Sequence, residues 1–179
     1  MITFDRFQGG SMDSLDTHKS TYYQNSFKDC IQWTRDLKGD IVDPFARDCT
    51  WADLTNDINQ ETKAMYHLDA LEFLKMIKSE SASIVLFDPP FSPRQEKRYE
   101  NGTNNLYSSD ANKISKLNQE VFRILKPKGV MLKLGYNSSR PNKSMNLIQM
   151  RIVNFGGSRN DVICSIWQKN QHTLTELIK

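Results

Sequence analysis

The stretch of sequence that decides the fold is Ser83-Ile84-Val85-Leu86-Phe87-Asp88-Pro89-Pro90-Phe91. Its first five residues are mostly apolar and β-prone, which predicts a buried parallel strand. A carboxylate, Asp88, follows at the carboxyl end of that strand, where open α/β sheets bind their ligands. Pro89 and Pro90 then fix the backbone twice and lack N–H donors, so the carbonyl groups of this corner are left to accept hydrogen bonds.

The corner formed by Asp88, Pro89, Pro90 and Phe91 thus combines a carboxylate, accepting carbonyl groups and an aromatic ring. This combination is typical of a receptor for a flat ring that carries an amino group. An ordinary turn could also begin with Asp-Pro, but it needs neither a second proline nor an aromatic residue. We therefore interpret these four residues as a candidate catalytic site.

Strand-like and helix-like segments alternate along the rest of the chain. Apolar residues at helical spacing follow Asp69, which forms a capping-box-like pair with Glu72, and recur from Ile114 to a stop at Pro127 and Gly129. The predicted strands cover residues 41–42, 51–56, 64–68, 83–87 and 130–134, and a closing hairpin covers 147–154 and 161–167. This alternation predicts a three-layer α/β fold with a mostly parallel sheet and the C-terminal hairpin as an antiparallel edge.

Composition indicates one soluble globular domain. The chain has 179 residues, of which 38% are hydrophobic and 25% charged, with no apolar run of membrane-spanning length and no secretory signal. Residues 1–20 are polar and predict a flexible N-terminal segment, followed by a single domain over 21–179 that opens with a helix at 24–37. The three cysteines and three histidines are scattered, so we expect no disulfide framework, no metal site and a cytoplasmic location.

The charges are divided unevenly between the two halves of the chain. Residues 1–90 carry 9 Lys and Arg against 15 Asp and Glu, whereas residues 91–179 carry 15 against 6. The stretch 123–143 holds six basic residues and no acidic one: Arg123, Lys126, Lys128, Lys133, Arg140 and Lys143. A solvated surface is the ordinary explanation of a charge run, but an imbalance on this scale favours a polyanionic partner. We expect the basic residues to lie on the substrate side, near Asp88, or along a face continuous with it.

Four acidic residues each follow a predicted strand: Asp43, Asp57, Asp69 and Asp88. Any one of them could be a helix N-cap, but the carboxyl ends of parallel strands converge on one crevice. An acid after the second strand holds a ribose diol in nucleotide-binding folds, and Asp57 fits that role. Asp69 can receive an adenine amine with Leu71 or Phe73 against the ring. Asp43 would lie beside the amino-acid tail of a cofactor that carries one. Asp88 remains for the substrate.

In this order the motifs resemble those of S-adenosylmethionine-dependent amino-methyltransferases. The segments that carry the resemblance are Asp43-Pro44-Phe45, Asn56-Asp57-Ile58-Asn59, His67-Leu68-Asp69-Ala70, Asp88-Pro89-Pro90-Phe91 and Leu125-Lys126-Pro127-Lys128-Gly129. They are similar to the phage and prokaryotic enzymes that methylate adenine N6 or cytosine N4 in DNA with an Asp-Pro-Pro-Tyr/Phe motif. The resemblance covers roughly residues 40–167 and implies a Rossmann-like methyltransferase fold with S-adenosylmethionine as cofactor. Aspartate at the head of the motif favours adenine N6 as the target.

The resemblance also implies a role for each matching residue. The Asp-Pro-Pro-Phe motif would bind the target amine through the catalytic residues Asp88, Pro89, Pro90 and Phe91. The cofactor-binding residues that it implies are Asp43, Pro44, Phe45, Ala46, Arg47, Asp57, Ile58, Asp69, Ala70 and Leu71. We expect substrate contacts from a polar loop and from the segment after the fifth strand: Arg94, Lys97, Arg98, Tyr136, Asn137, Arg140 and Lys143.

Two features depart from the family pattern. The family's first turn carries glycines that let the backbone approach the cofactor, but here Asp43-Pro44-Phe45 continues as Ala46-Arg47-Asp48-Cys49. Either the cofactor tail sits differently, with Arg47 on its carboxylate, or cofactor binding is weak or absent. The chain also has no separate target-recognition domain, so sequence specificity is slight or recognition needs a homodimer or a partner subunit.

Three functions stay open from the sequence. The first is methyl transfer to adenine in DNA, and the second is the same chemistry on RNA or another amine-bearing molecule. The third is a degenerate methyltransferase fold that serves as a nucleic-acid-binding subunit, with the glycine-free turn as its mark. The intact motif from Asp88 to Phe91 favours the first, because a purely binding module has no need of it.

Overall fold

The computed structural model of the chain describes residues 2–6, 39–49, 51–90, 110–154 and 160–171. Within these ranges the chain forms one seven-stranded sheet and two helices. The strands are β1 (Ile2–Arg6), β2 (Ile41–Asp43), β3 (Leu54–Thr55), β4 (Ala82–Phe87), β5 (Leu125–Gly135), β6 (Met145–Asn154) and β7 (Val162–Lys169). The helices are α1 (Ala70–Met76) and α2 (Ala111–Ile124).

The strands lie in the order β1-β6-β7-β5-β4-β2-β3. All neighbouring pairs are parallel except the two that involve β7, which runs antiparallel to β5 and β6. The six parallel strands therefore finish at one end of the sheet, which we call the carboxyl end, and begin at the other, the amino end. This topology confirms the predicted α/β fold with a mostly parallel sheet and an antiparallel C-terminal strand.

The closing hairpin forms as expected but is not at the edge of the sheet. β6 and β7 pair from Met145 opposite Lys169 to Val153 opposite Val162. β7 then inserts between β6 and β5, where Lys133 lies opposite Ser165. Six of the eight residues of β7 are buried, whereas only three of the ten residues of β6 are buried, so the more buried strand takes the inner position.

The first strand lies within residues 1–20, the segment for which flexibility is predicted from the sequence. Ile2–Arg6 form β1, which pairs in parallel with β6 from Ile2 opposite Met150 to Arg6 opposite Asn154. Without β1 the long strand β6 would present unpaired backbone groups at the sheet edge, and backbone pairing of this kind leaves little trace in side-chain periodicity. The rest of the predicted segment and the predicted helix at 24–37 lie outside the described residues.

The predicted strand at 64–68 is reduced to a single bridge between Asn56 and Tyr66. The reason lies in the Asn56 side chain, which takes the place of a strand partner. Its Nδ2 donates to the carbonyl oxygen of Leu68 at 3.1 Å, and its Oδ1 accepts from the N–H of Leu68 at 3.0 Å. The backbone of Leu68 is thus held by one amide rather than by a ladder.

Residues alternate across each strand, so the sheet has two faces. Both helices pack on the same face. Val85, Phe87 and Met131 point to the face that also buries apolar residues of the two helices, namely Ala70, Phe73, Leu74, Leu117, Val121 and Ile124. The other face buries Ile84, Leu86, Leu132 and Leu134 together with Ala46 and Cys49 from the turn after β2. Among the described residues no helix is long and apolar enough to span a membrane.

The predicted end of the second helix at Pro127 and Gly129 is one turn too late. α2 ends at Ile124, and Leu125 is both its C-cap and the first residue of β5. The register with β4 then shifts between Leu125 and Val130, where Lys128 adopts φ 65°. A Cβ on Gly129 would stand 2.9 Å from the Lys126 carbonyl oxygen, so this tight bulge requires glycine.

Candidate active site

The carboxyl end of the sheet brings together the acids that follow β2, β3 and β4. Asp43 is the last residue of β2, and Asp88 follows β4, the strand that pairs directly with β2. The exposed fractions of Asp43 and Asp88 are 1% and 5%. Asp57 follows β3 two residues beyond Thr55 and is half-buried. Parallel pairing of short strands therefore places three carboxylates in one crevice.

Asp43 carries a buried carboxylate that the protein satisfies on one side. Its Oδ1 accepts a hydrogen bond from the N–H of Phe45 at 3.0 Å, whereas its Oδ2 has no partner among the described residues. Burial raises the pKa of Asp43 to about 7; the Phe45 N–H and the Cys49 thiol lower it, and the charges of Asp88 and Asp57 raise it further. Burial also raises the pKa of the Cys49 thiol to about 12, so this thiol keeps its proton and acts as a donor.

The turn after β2 contains a left-handed residue, Arg47, although it lacks the glycines of the family that the sequence resembles. Arg47 occupies the left-handed region at φ 50°, a conformation that L residues other than glycine seldom adopt. Its N–H donates to Asp57 Oδ2 at 3.0 Å, and the N–H of Ala46 donates to the Asn56 carbonyl oxygen at 2.8 Å. The segment around β3 thus holds the turn in place, and Ala46 is fully buried beneath it.

Asp57, which follows β3, bonds to the turn after β2. Besides the N–H of Arg47, it accepts at Oδ1 from the N–H of Asn59 at 2.9 Å, and its carbonyl oxygen lies 3.1 Å from His67 Nδ1. Burial raises the pKa of Asp57, and the two backbone N–H groups and Arg47 lower it. A carboxylate has about four acceptor positions, so two backbone bonds leave capacity for a ribose diol.

Asp69 performs the ordinary role of a helix N-cap. Its Oδ1 accepts from the N–H of Leu71 at 2.8 Å at the start of α1. Glu72 pairs with Lys75 at 2.8 Å rather than reaching back, so no reciprocal capping box forms. Of the other residues assigned to the cofactor here, Ala70 is buried, and Leu71 and Ile58 are half-buried.

An ion pair links the turn after β2 to the Asp88-Pro89-Pro90 segment. Arg47 Nη2 lies 3.9 Å from Asp88 Oδ2, with 13% and 4% of the two side chains exposed. The distance is too long for a hydrogen bond but short enough for strong attraction in a poorly solvated crevice. Pro89 is buried and Pro90 half-buried beside Asp88, while Phe91 lies outside the described residues.

Asn56 belongs to one of the motifs that carry the resemblance, but the sequence predicts no role for its side chain. Its side-chain Nδ2 donates to the Pro44 carbonyl oxygen at 3.2 Å as well as to Leu68, and the residue is 1% exposed. One buried amide therefore ties together the turn after β2, the end of β3 and the segment before Asp69. The sequence signal was its place directly before Asp57 at the end of an apolar strand.

Lys133 is a second residue whose role differs from the prediction of a surface cation. It lies in β5 beside Phe87, is 7% exposed, and its Nζ donates to Ser139 Oγ at 2.9 Å and to the Ser139 carbonyl oxygen at 3.0 Å. Burial lowers the pKa of Lys133 to about 8. Ser139 Oγ in turn donates to Asn137 Oδ1 at 2.7 Å, so Lys133 anchors the segment after β5.

The segment 136–144 runs from one end of the sheet to the other, because β6 is parallel to β5. Tyr136 and Asn137 follow β5 directly and lie at the carboxyl end, where Tyr136 packs against the cluster that contains Ala46. Lys143 precedes Met145, whose partner Lys169 is the last residue of β7, and therefore lies near the amino end. Arg140, exposed, lies between them with its Nη1 3.5 Å from the Lys143 carbonyl oxygen.

This path places Lys126, Lys128 and Lys143 away from Asp88, and the alternative of a basic face continuous with the site stays a prediction. Lys126 and Lys128 lie at the amino end of β5, in the bulge. The Nζ of Lys126 is 3.9 Å from Asp40 Oδ2. Lys143 shares that end, so Tyr136, Asn137 and Lys133 remain closest to the candidate site. Arg94, Lys97 and Arg98 lie outside the described residues.

A cavity of about 480 Å³ lies away from Asp43, Asp57 and Asp88. Its lining includes Asp40, Val42, Asp53, Tyr66, Phe73 and Ser81. Asp40 and Ser81 precede β2 and β4, so this cavity opens towards the amino end. It is therefore separate from the candidate site. Among the described residues no group of three or more His, Cys, Asp and Glu could hold a metal ion.

Comparisons with known proteins concern the fold rather than a family. No protein-family model matches the chain, and no curated protein matches it significantly by sequence. A solved structure described as "Putative methyltransferase yhhF from Escherichia coli" superposes with a TM-score of 0.50 over 81% of this chain and 84% of its own, at 12% sequence identity. This likeness supports the Rossmann-like methyltransferase fold predicted from the motifs.

Proposed function

We propose that the chain transfers a methyl group from S-adenosylmethionine to the exocyclic amine of a base, with adenine N6 in DNA as the target. The observation that carries this proposal is the pair of buried acids at neighbouring strand ends. Asp43 keeps one oxygen without a partner in the described residues, and Asp88 heads the Asp-Pro-Pro segment beside it. Buried polar groups are normally satisfied, so an unpaired carboxylate oxygen in a crevice is best explained by a ligand that completes it.

The residues present fit the cofactor. Asp43 Oδ2 offers an acceptor for an ammonium group, and Arg47 on the same turn offers a guanidinium for a carboxylate. Asp57 and Asp69 remain as acceptors for a ribose diol and an adenine amine. When bound, S-adenosylmethionine supplies an electrophilic methyl group on a positively charged sulfur.

Asp88 and its prolines prepare the target amine. The lone pair of an exocyclic amine is delocalised into the ring, which makes the nitrogen a poor nucleophile. If Asp88 and a proline carbonyl group accept its two N–H bonds, the nitrogen moves towards sp³ geometry and the lone pair becomes available. The proton that is in excess after methyl transfer leaves through the hydrogen bond to Asp88, so no strong general base is needed. Correct orientation of the two reactants can contribute about 7–11 kcal/mol.

Phe91 would hold the ring by stacking, and a base in duplex DNA must first flip out at a cost of a few kcal/mol. The net positive charge of residues 91–179 supports a nucleic acid as the partner. As part of the same proposal, recognition of the target involves a homodimer or a partner subunit, and the protein acts in the cytoplasm.

Methylation assays with tritiated S-adenosylmethionine test the proposal. We expect label in DNA, recovered as N6-methyladenine after digestion to nucleosides, at low salt and with long incubation. Label recovered as N4-methylcytosine would change the target base, and label in RNA alone would change the nucleic acid. No transfer to any of these substrates, together with no cofactor binding, would contradict the proposal.

A second candidate function has one observation in its favour. The Arg47 guanidinium lies against Asp88, the residue that the chemistry requires for the target amine. In a degenerate methyltransferase fold that binds nucleic acid, such a pair would simply neutralise two buried charges. This candidate predicts salt-dependent binding of nucleic acid with no affinity for S-adenosylmethionine or its product S-adenosylhomocysteine.

A further inference from the structure

Arg47 is held in a conformation that directs its side chain into the crevice. A non-glycine residue in the left-handed region costs roughly 1–2 kcal/mol, which the surroundings must offset. Here the N–H of Arg47 donates to Asp57 Oδ2 at 3.0 Å, which fixes the backbone from the neighbouring strand end. The side chain is only 13% exposed although arginine usually reaches solvent. The turn therefore presents a guanidinium to the interior of the site.

The guanidinium lies against the catalytic carboxylate. Arg47 Nη2 is 3.9 Å from Asp88 Oδ2, and only 4% of the Asp88 side chain is exposed. An amine that approaches Asp88 must compete with this positive charge for the same oxygen. The contact between Arg47 Nη2 and Asp88 Oδ2 is longer than a hydrogen bond, so a carboxylate that accepts hydrogen bonds from the guanidinium can compete with Asp88 for it.

The cofactor carries such an anion close to the group that Asp43 would bind. The α-ammonium and α-carboxylate groups of S-adenosylmethionine are attached to the same carbon atom. Asp43, with its unpaired Oδ2, and Arg47 lie four residues apart on one turn. A planar carboxylate can accept two hydrogen bonds from one guanidinium. Asp88, with a single oxygen 3.9 Å from Arg47 Nη2, does not make this bidentate contact.

We propose that Arg47 covers Asp88 until the cofactor's carboxylate takes the guanidinium, so that the target amine is bound only after the cofactor. This inference rests on the proposed function and adds an order of binding to it. The two sites are then coupled, and each ligand must raise the affinity for the other by the same factor.

Binding of short oligonucleotides tests the coupling without turnover. The probes are a single-stranded oligodeoxyadenylate and a matched strand in which purine, which lacks the amine, replaces adenine. Affinities are measured at low salt by fluorescence anisotropy alone, with S-adenosylhomocysteine, and with 5′-methylthioadenosine, which lacks the amino-acid end. We expect S-adenosylhomocysteine to raise the affinity for the adenine strand about fivefold or more, the lower range of typical couplings. It should leave the purine strand unchanged, and 5′-methylthioadenosine should affect neither.

Variants separate the Arg47 contact from a general effect of the cofactor. Arg47→Gln should bind the adenine strand as tightly alone as the parent does with S-adenosylhomocysteine, and should bind S-adenosylhomocysteine about tenfold more weakly. Asp88→Asn should bind S-adenosylhomocysteine about fivefold more tightly by calorimetry, because Arg47 is then released. Lys63→Gln removes an exposed cation whose backbone N–H contacts the turn of Arg47 at Asp48 Oδ1; it is the matched control and should change neither affinity. Thermal melts of each variant verify the fold.

The possible failures are distinguishable. If S-adenosylhomocysteine binds but leaves the adenine strand unaffected, or if Asp88→Asn does not tighten its binding, the coupling through Arg47 is wrong and the proposed function stands. If S-adenosylhomocysteine does not bind at all, the proposed function fails together with the inference. Binding of both strands with equal affinity in every state would overturn the assignment of Asp88 as the receptor of the amine.

Discussion

Buried charges at the two ends of the sheet are treated in opposite ways. At the amino end, Lys169 is 4% exposed and uses its three N–H donors on Glu80 Oε1, the Phe122 carbonyl oxygen and the Leu125 carbonyl oxygen, at 3.1, 3.1 and 2.7 Å. At the carboxyl end, Asp43 is 1% exposed and has an oxygen with no partner in the described residues. The first charge is fully satisfied by the fold, and the second is not.

The difference between Lys169 and Asp43 indicates that the first supports the fold and the second a function. Lys169 completes the last carbonyl groups of α2, where a cation also complements the helix dipole. Asp43 instead has a raised pKa and an oxygen without a partner in the described residues, and both reflect a burial cost that destabilises the folded carboxylate. Such a cost is typical of functional sites rather than of structural residues. The crevice is therefore incomplete until a ligand enters, whereas the amino end is complete.

The largest effect should follow from removing the receptor of the amine. We expect Asp88→Ala to lower the single-turnover rate of methyl transfer at least about 1000-fold, equivalent to about 4 kcal/mol in the barrier. Cofactor binding should survive, because Asp88 serves the substrate. The check is a tritiated-methyl assay beside calorimetry with S-adenosylhomocysteine. A variant as active as the parent would show that the proposed chemistry is wrong.

Asp43→Asn should stabilise the protein at alkaline pH and have little effect near pH 4. The unfolded carboxyl loses its proton near its ordinary pKa of 3.8, whereas folded Asp43 holds its proton to about pH 7. Between these values the parent loses stability as pH rises, by at most about 1.4 kcal/mol per unit, so the upper limit at pH 8 is on the order of 4 kcal/mol. Urea denaturation at pH 4, 6 and 8 measures the gain. A variant less stable than the parent at pH 8 would show that Asp43 is a structural group.

Lys169→Met should destabilise the fold by about 2–3 kcal/mol, because two carbonyl groups lose their donor while the Glu80 side chain is partly exposed. Affinity for S-adenosylhomocysteine should stay the same. Lys126→Met is the matched control, because its pair with Asp40 is largely exposed and should contribute less than about 1 kcal/mol. Equal losses in the two variants would remove the distinction drawn for the amino end.

The smallest effect is expected in segment 136–144, which connects β5 to β6. Arg140→Ala should make the slope of log affinity against log salt shallower by about 0.7–0.9, the value of one phosphate contact, whereas Lys143→Ala should leave it unchanged. The reason is that Lys143 lies near the amino end and Arg140 lies between the two ends. Anisotropy titrations from low to physiological salt measure both slopes. A change caused by Lys143 alone would place the nucleic acid at the amino end.

The parts of the fold that could be predicted are those governed by local pattern. β4 was predicted from a run of apolar residues, and Asp43 and Asp88 were placed at strand ends because each follows such a run and precedes proline. The N-cap at Asp69 was also visible, because its side chain serves the next residues in sequence.

The parts that could not be predicted depend on contacts between distant segments. β1 exists because β6 offers an edge, and β7 lies inside the sheet because it buries more of its surface. The bonds of Asn56 join segments that only the folded chain brings together, and Lys133 is buried because β5 lies between β4 and β7. The pairing of Arg47 with Asp88 spans two strand ends, and its left-handed backbone has no signal in an arginine.

In the proposed function, the unpaired carboxylate oxygen of Asp43 marks the cofactor site. The most direct test is calorimetry of S-adenosylhomocysteine at pH 7 in two buffers of different ionisation enthalpy. Because Asp43 titrates at about pH 7 in the free protein, an ammonium group beside it should release about half a proton on binding. The release should fade by about pH 9, and Asp43→Asn should bind at least about tenfold more weakly with no release, a loss of about 1.4 kcal/mol. Absence of binding at millimolar ligand, or binding without proton release that Asp43→Asn leaves unchanged, would contradict the account.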